Sequence, residues 1–234
     1  MTDRVRVLVV DDERLFAELL RVALREATDI DVVGVAHDMR SAVALSNELR
    51  PDVIIADYHL PDGTGADLAR SLRVALPDVA IVVLTGDPSA ATLADVARSG
   101  AAGHLTKERY LSEVVGAVHA AAAGEVLFSP SELQRLLLSD RIQPQSTAEP
   151  LTPRELEVLH LLASGASTAA AATSLGISTA TLRAHIQAVL RKLGAHSRLE
   201  AVAEAARLGL VTLDSWTREG PTSPRGGKVL ARGV

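Results

Sequence analysis

From Arg4 to about Ala123 the chain alternates short β-branched runs with longer segments of helical period. VRVLVV precedes LFAELLRVALREA, VVGVA precedes SAVALSNEL, VIIA precedes ADLARSLRVAL, AIVVLT precedes AATLADVARSG, and GHLT precedes LSEVVGAVHAAAAG. A short continuous apolar run suits a strand covered on both faces, and a helical segment between two such runs is the crossover that covers it. Five units in succession predict an α/β doubly wound five-stranded parallel sheet. The usual strand order for that arrangement is 2-1-3-4-5, which sets the first strand beside the third.

After Ala123 the pattern changes. Residues 124–150 open with a possible short helix, capped by Ser129 with Pro130 following and with Leu133, Leu136 and Leu137 on one stripe. They end in a Pro/Gln/Ser-rich stretch that reads as a linker. Residues 151–213 are marked by helix caps instead of strands. Thr152-Pro153-Arg154-Glu155 has capping-box spacing with Pro at the first helical position, and Ser197 repeats that spacing with Glu200. Thr168–Leu175 and Ser178–Leu193 form two helical stretches joined around Gly176 and Ile177. Two helices with so short a turn predict an all-α helix-turn-helix domain, its second helix available to a major groove. Residues 214–234 are rich in Gly and Pro and are expected to be a disordered tail.

Composition narrows the function classes. Hydrophobic residues make up 47% of the 234 and charged residues 23%, which is globular, while aromatics are only 2%. The core is therefore aliphatic, and base stacking on single-stranded nucleic acid is disfavoured. With no cysteine there are no disulfides or thiolate metal sites. No run reaches the roughly 18 apolar residues of a membrane span, and the N-terminus does not read as a signal sequence. A cytoplasmic location without a membrane partner is expected. The net charge of −5 is unevenly spread: residues 1–123 carry 12 basic against 19 acidic side chains, and residues 151–213 carry 6 against 4. An acidic half suits a metal and a mildly basic half suits DNA.

The candidate chemistry sits where the predicted strands end. Asp11 and Asp12 follow VRVLVV, Asp57 follows VIIA, Thr85 ends IVVLT, and Lys107 follows GHLT. Taken singly, these are a helix cap, a turn aspartate and a solvated lysine. A parallel sheet brings them all to one rim, where open α/β folds bind ligands. Clustered carboxylates cup a hard divalent cation, and a hydroxyl and an ammonium donate to a phosphoryl group. The rim reads as a Mg2+-dependent phosphoryl-acceptor site.

Together DDE at 11–13, DYHLPDGTG at 57–65, LTG at 84–86 and GHLTKE at 103–108 resemble the flavodoxin-like receiver domain of bacterial response regulators. Residues 151–213 resemble the LuxR-type helix-turn-helix domain, and the order of the two is similar to the NarL/FixJ family. The resemblance implies that Asp57 is the phosphoacceptor and that Asp12, Asp57 and the backbone carbonyl of His59 ligate Mg2+, with Asp11 in the same acid pocket. It implies that Thr85 and Lys107 hold the phosphoryl group, and that His59 and Asp87 tune its lifetime. His104 stands where the family usually has a switching Tyr or Phe.

On the second helix, Leu182, Ile186, Val189, Leu190 and Leu193 share a core face. By resemblance Arg183, Ala184 and Gln187 meet base edges, with Thr181 and Arg191 or Lys192 near phosphates; Arg suits guanine, Gln adenine, and Ala a thymine methyl. The partners implied are a sensor histidine kinase, double-stranded promoter DNA and a second copy of the chain. The rival expectations are a passive receiver that is never phosphorylated, and a phosphatase-type enzyme, for which the D-x-D acid on the nucleophile's own loop is missing.

Overall fold

The computed structural model describes residues 4–86, 89–107, 111–128, 132, 150–195 and 197–211. The linker-helix residues Ser129, Pro130, Leu133, Leu136 and Leu137, the tail, and Asp87 lie outside them. The chain runs β1 (Val5–Val10), α1 (Arg14–Arg25), β2 (Ile30–Ala36), α2 (Met39–Leu49), β3 (Val53–Asp57), a small hairpin of β4 (His59–Leu60) and β5 (Gly63–Thr64), α3 (Gly65–Ala75), β6 (Ala80–Thr85), α4 (Ala90–Ser99), β7 (Gly103–Thr106) and α5 (Leu111–Ala122). Among the described residues, α6 (Pro153–Ala163), α7 (Thr168–Leu175), α8 (Thr179–Leu193) and α9 (Arg198–Arg207) follow.

The main sheet has the order β2-β1-β3-β6-β7, all parallel. Apart from the hairpin strands, which enter the numbering as β4 and β5, this is the order the sequence predicts. Period-two alternation sorts each strand between two faces. Leu8, Val10, Ile54, Ala56, Ile81 and Val83 pack with Leu68 and Leu72 of α3 and with Leu93 of α4. Val7, Val9, Ile55, Val82 and Leu84 pack on the other face with Leu20 and Leu24 of α1 and with Val118 of α5. Each such side chain contributes about 1.5–3 kcal/mol by leaving water. A one-residue slip of any strand would exchange the two faces, so the register is held by both cores at once.

That register fixes the rim. Asp57 pairs with Leu84 and Thr85 with Thr106, the Lys107 amide donates to the Thr85 carbonyl at 3.0 Å, and the Asp11 amide to the Ala36 carbonyl at 3.1 Å. Four residues that are remote in the chain thus end adjacent strands at one edge.

The second half forms around its caps. Thr152 accepts from the Glu155 amide while Glu155 reaches back to the Thr152 amide, closing the box, and Pro153 opens α6. Gly176 takes a left-handed conformation (φ 64°) after α7, and Ser178 then caps α8 by accepting from the Thr181 amide at 3.0 Å. Val158, Leu159, Leu182, Ile186, Val189, Leu193 and Val202 form the common core, with Leu190 only half-buried at its edge.

One residue departs from the expected placement. Lys192, expected near a phosphate, is 6% exposed, with its ammonium 2.9 Å from Glu155 Oε2 and 3.2 Å from the Pro150 carbonyl. The last turn of α8 faces the start of α6, and a cation there meets the acid that closes the capping box.

The two halves touch. The Thr168 amide donates to the Ala123 carbonyl at 3.0 Å, and the Arg198 guanidinium donates to the Gly124 carbonyl and to Thr168 Oγ1. Burial, with the nearby charge of Arg183, pulls Arg198 down to about 10. Leu199 enters the same apolar cluster as Leu93, Ala97 and Ala101 of the first half.

Burial pushes the Glu155 carboxyl up, but the Thr152 donors and Lys192 outweigh it and hold the group below its ordinary value. A carboxyl held low adds stability above its unfolded value and loses it as pH falls through its folded value. Lys192→Met leaves a buried acid uncompensated and should cost about 3–5 kcal/mol. In denaturant unfolding of the helical half followed by circular dichroism, that variant should lose stability at neutral pH and recover part of the difference below the usual carboxylate range, where Glu155 is protonated.

Candidate phosphoacceptor and DNA-reading sites

At the carboxyl edge of the sheet, Lys107 Nζ lies 2.9 Å from Asp57 Oδ2 and 3.0 Å from Asp11 Oδ2. Glu13 Oε1 is 3.6 Å away, and the Phe16 ring lies beneath the ammonium at 4.7 Å. Asp11 and Asp57 are buried and Asp12 is exposed, while ligand oxygens of all three lie within 4.8 Å of one another. Burial raises the Asp11 carboxyl, with its bonds to Lys107 and the Glu13 amide only partly opposing it. Burial works against the charged Lys107 too, but the bonds to Asp57 and Asp11 win and hold its ammonium above the ordinary value.

The donor set fits a hard cation. Three carboxylates and one ammonium leave the cluster negative, and Mg2+ prefers oxygen ligands with several waters retained. One exposed and two buried acids offer both a protein cup and a solvent side.

The hairpin β4–β5 shapes the acceptor loop. The Tyr58 amide donates to the Leu84 carbonyl at 2.7 Å, and the Gly65 amide to the Tyr58 carbonyl at 2.9 Å. A Cβ on Gly65 would lie 2.6 Å from the Asp57 carbonyl oxygen, so only glycine lets α3 start this close to the acceptor. Asp62 accepts from the Met39 and Arg40 amides and ties the hairpin to the start of α2. His59 opens β4 directly after this loop, with its side chain exposed. Thr85 is fully buried at the end of β6. His104 is buried on β7, its Nε2 3.4 Å from Glu132 Oε1 and its ring 5.8 Å from that of Phe128.

The structure thus gathers Asp11, Asp12, Asp57 and Lys107 and sets Thr85 on the next strand end. Glu13, Phe16 and His37, whose Nδ1 is 2.8 Å from the Asp11 carbonyl, belong to the site without having been assigned to it from sequence. Glu13 was already visible as the third acid of DDE.

On α8, Thr181, Arg183, Ala184, Gln187 and Arg191 are exposed while the core face is buried. Arg183, Ala184, Gln187 and Arg191 line a cleft shared with Asp52, Pro77 and Asp78 of the first half. Arg183 Nε lies 3.3 Å from Asp78 Oδ1. Lys192, turned inward, is absent from this face.

Comparison with known proteins agrees with both halves. Residues 7–119 match the response regulator receiver domain, and residues 149–205 match the luxR family of bacterial regulatory proteins. The transcriptional regulatory protein YxjL of Bacillus subtilis is 35% identical over 89% of this chain and 98% of its own length. A probable transcriptional regulatory protein NarL of Mycobacterium tuberculosis is 34% identical over 89% of this chain and 97% of its own. The solved receiver domain of the M. tuberculosis NarL superposes with a TM-score of 0.51 at 34% identity, covering 52% of this chain and 98% of that one. With both domains in the same order and likeness over most of its length, the chain belongs to the two-component response regulators that couple a receiver to a LuxR-type DNA-binding domain to regulate transcription.

Proposed function

We propose that Asp57 accepts a phosphoryl group from a sensor histidine kinase or a small phosphodonor, in a Mg2+-dependent step, and that this state releases the helix-turn-helix domain to bind promoter DNA as a homodimer in the cytoplasm. The observation that carries the reading is one ammonium on two buried carboxylates, Asp57 and Asp11, beside a third acid. Asp11, Asp12, Asp57 and the His59 carbonyl would hold the metal, which when bound offsets the charge of the incoming phosphoryl oxygens. An Asp57 carboxylate oxygen attacks phosphorus as the bond to the donor breaks, and the donor leaves with that electron pair. Lys107 is already within hydrogen-bond reach of the acceptor and can transfer its donation from Asp57 to a phosphoryl oxygen. Thr85 would donate its hydroxyl to another. The protein supplies position and charge, which is most of what phosphoryl transfer requires.

Phosphorylation adds about 1.5–2 negative charges. Lys107 and Thr85 drawn toward them would move the ends of β6 and β7 and the loops that follow. His104, at the family's aromatic switch position, would move with β7. In the arrangement described, Arg183 faces Asp78, so the receiver and DNA compete for the same basic group. Arg183, Ala184 and Gln187 are proposed to read bases, with Thr181 and Arg191 on phosphates. No helix among the described residues is long and apolar enough to cross a membrane.

Incubated with acetyl phosphate and Mg2+, the chain should gain one phosphoryl group by intact mass, and Asp57→Asn should gain none. No adduct on the unsubstituted chain would instead support a passive receiver, and sustained phosphate release over many turnovers an enzyme. Gly65→Ala should lower stability by about 1–3 kcal/mol and shrink the rise in melting temperature that Mg2+ produces, measured by differential scanning calorimetry. On DNA selected with the phosphorylated chain, Arg183→Ala should weaken binding about tenfold or more and relax specificity. Arg191→Ala should weaken it evenly and reduce the salt slope by about one.

A further inference from the structure

A closed ring of polar contacts, outside the acceptor pocket but starting from the residue next to Asp57, joins three elements. The Tyr58 hydroxyl donates to Asp95 Oδ2 at 3.0 Å. Arg70 bridges Asp95 Oδ1 at 2.5 Å and Asp67 Oδ1 at 3.2 Å. Asp67 Oδ2 in turn accepts from the Thr64 hydroxyl at 2.8 Å and the Thr64 amide at 3.1 Å, completing the cap of α3. Thr64 ends the hairpin that Tyr58 precedes, and the next amide, of Gly65, donates to the Tyr58 carbonyl at 2.9 Å, so the ring returns to the residue beside Asp57. It passes through α3 at Asp67 and Arg70 and through α4 at Asp95.

Two further contacts give the ring a direction. The Tyr58 amide holds the carbonyl of Leu84, the residue before Thr85, so any shift of Thr85 toward a phosphoryl group is felt at Tyr58 first. On its far side α4 packs against α9 of the DNA-binding half, where Leu199 shares a buried cluster with Leu93 and Ala97. A tyrosine 37 residues from its acid, with both partners half-buried, is a poor match for an incidental surface pair.

We propose that Tyr58 is a positioning residue that ties α4, through Asp95, to the state of the acceptor loop, so that a phosphoryl group on Asp57 is transmitted across α4 to α9. The proposal rests on the reading that Asp57 is phosphorylated. Coupling of this kind is reciprocal, so displacing α9 shifts the same ring from the other side.

The test uses the full chain with acetyl phosphate and Mg2+, with adduct occupancy read by intact mass and amide hydrogen exchange read over α4 and α9 with and without the donor. Phosphorylation of the unsubstituted chain should change exchange in both helices several-fold. Tyr58→Phe keeps the ring and its packing but removes the hydroxyl. It should accept the phosphoryl group to the same extent while losing most of that phosphorylation-dependent change. Asp95→Asn, which still offers an oxygen to the phenol, should retain the change, and Asp95→Leu should lose it without adding to the loss in Tyr58→Phe. A merely structural role would raise exchange equally with and without the donor. A Tyr58→Phe protein that carries the adduct and shows the full change in α4 and α9 overturns the proposal. An unsubstituted chain that takes no adduct overturns instead the reading on which it rests, and the proposal with it.

Discussion

The rest of the structure depends on holding like charges together at the end of a sheet. Asp11 and Asp57 are buried within reach of one another, which is unfavourable unless a cation lies between them. Lys107 supplies that cation from the end of β7, two strands from Asp57's own strand β3, and it can do so only because the register of β3, β6 and β7 sets the three strand ends level. Both hydrophobic layers enforce that register. The apolar core is therefore part of the site's electrostatics: it fixes the distance between Lys107 and the acids, and it leaves three carboxylates gathered about one ammonium.

From that cluster the polypeptide leads outward through few routes. One runs along β6 and β7 to the loops beyond Thr85 and Lys107. Another runs through the hairpin after Asp57 to Gly65, which lets α3 begin against the Asp57 carbonyl. The helical half rests at the other end of the sheet, against the turn before β6 and the chain just after α5. Arg198 and Thr168 satisfy the last carbonyls of the first half, and Leu199 fills a gap beside α4. Arg183 and Gln187 of α8 line the cleft beside that contact. A switch of the kind proposed needs two states of comparable free energy, and a modest interface of this sort would suit one of them.

Most of the fold could be read from the chain because burial on both faces demands β-branched runs and the crossovers demand helical period. The order of strands, the groups at four strand ends and the caps at Thr152 and Ser197 follow from local pattern. What escaped depends on neighbours distant in sequence. The strands β4 and β5 have two residues each, too short for any period to register. Lys192 sits next to Leu193 at the margin of the helical stripe, and only the position of Glu155, 37 residues earlier, decides that its ammonium turns inward. Phe16 looks like a core residue of α1 until Lys107 is placed above it. Nothing adjacent to Tyr58 or to Asp95 announces that they meet.

The central claim is that this edge of the sheet is a metal-assisted seat for a phosphoryl group. It is tested most directly by a crystal structure of the full chain grown with Mg2+ and beryllium trifluoride, which imitates a phosphoryl group on a carboxylate. The fluoride adduct should sit on Asp57, with Mg2+ among Asp11, Asp12 and Asp57 and the Lys107 ammonium moved from the carboxylate onto a fluorine. An Asp57 that stays bare and paired with Lys107 while the ions bind elsewhere would contradict it.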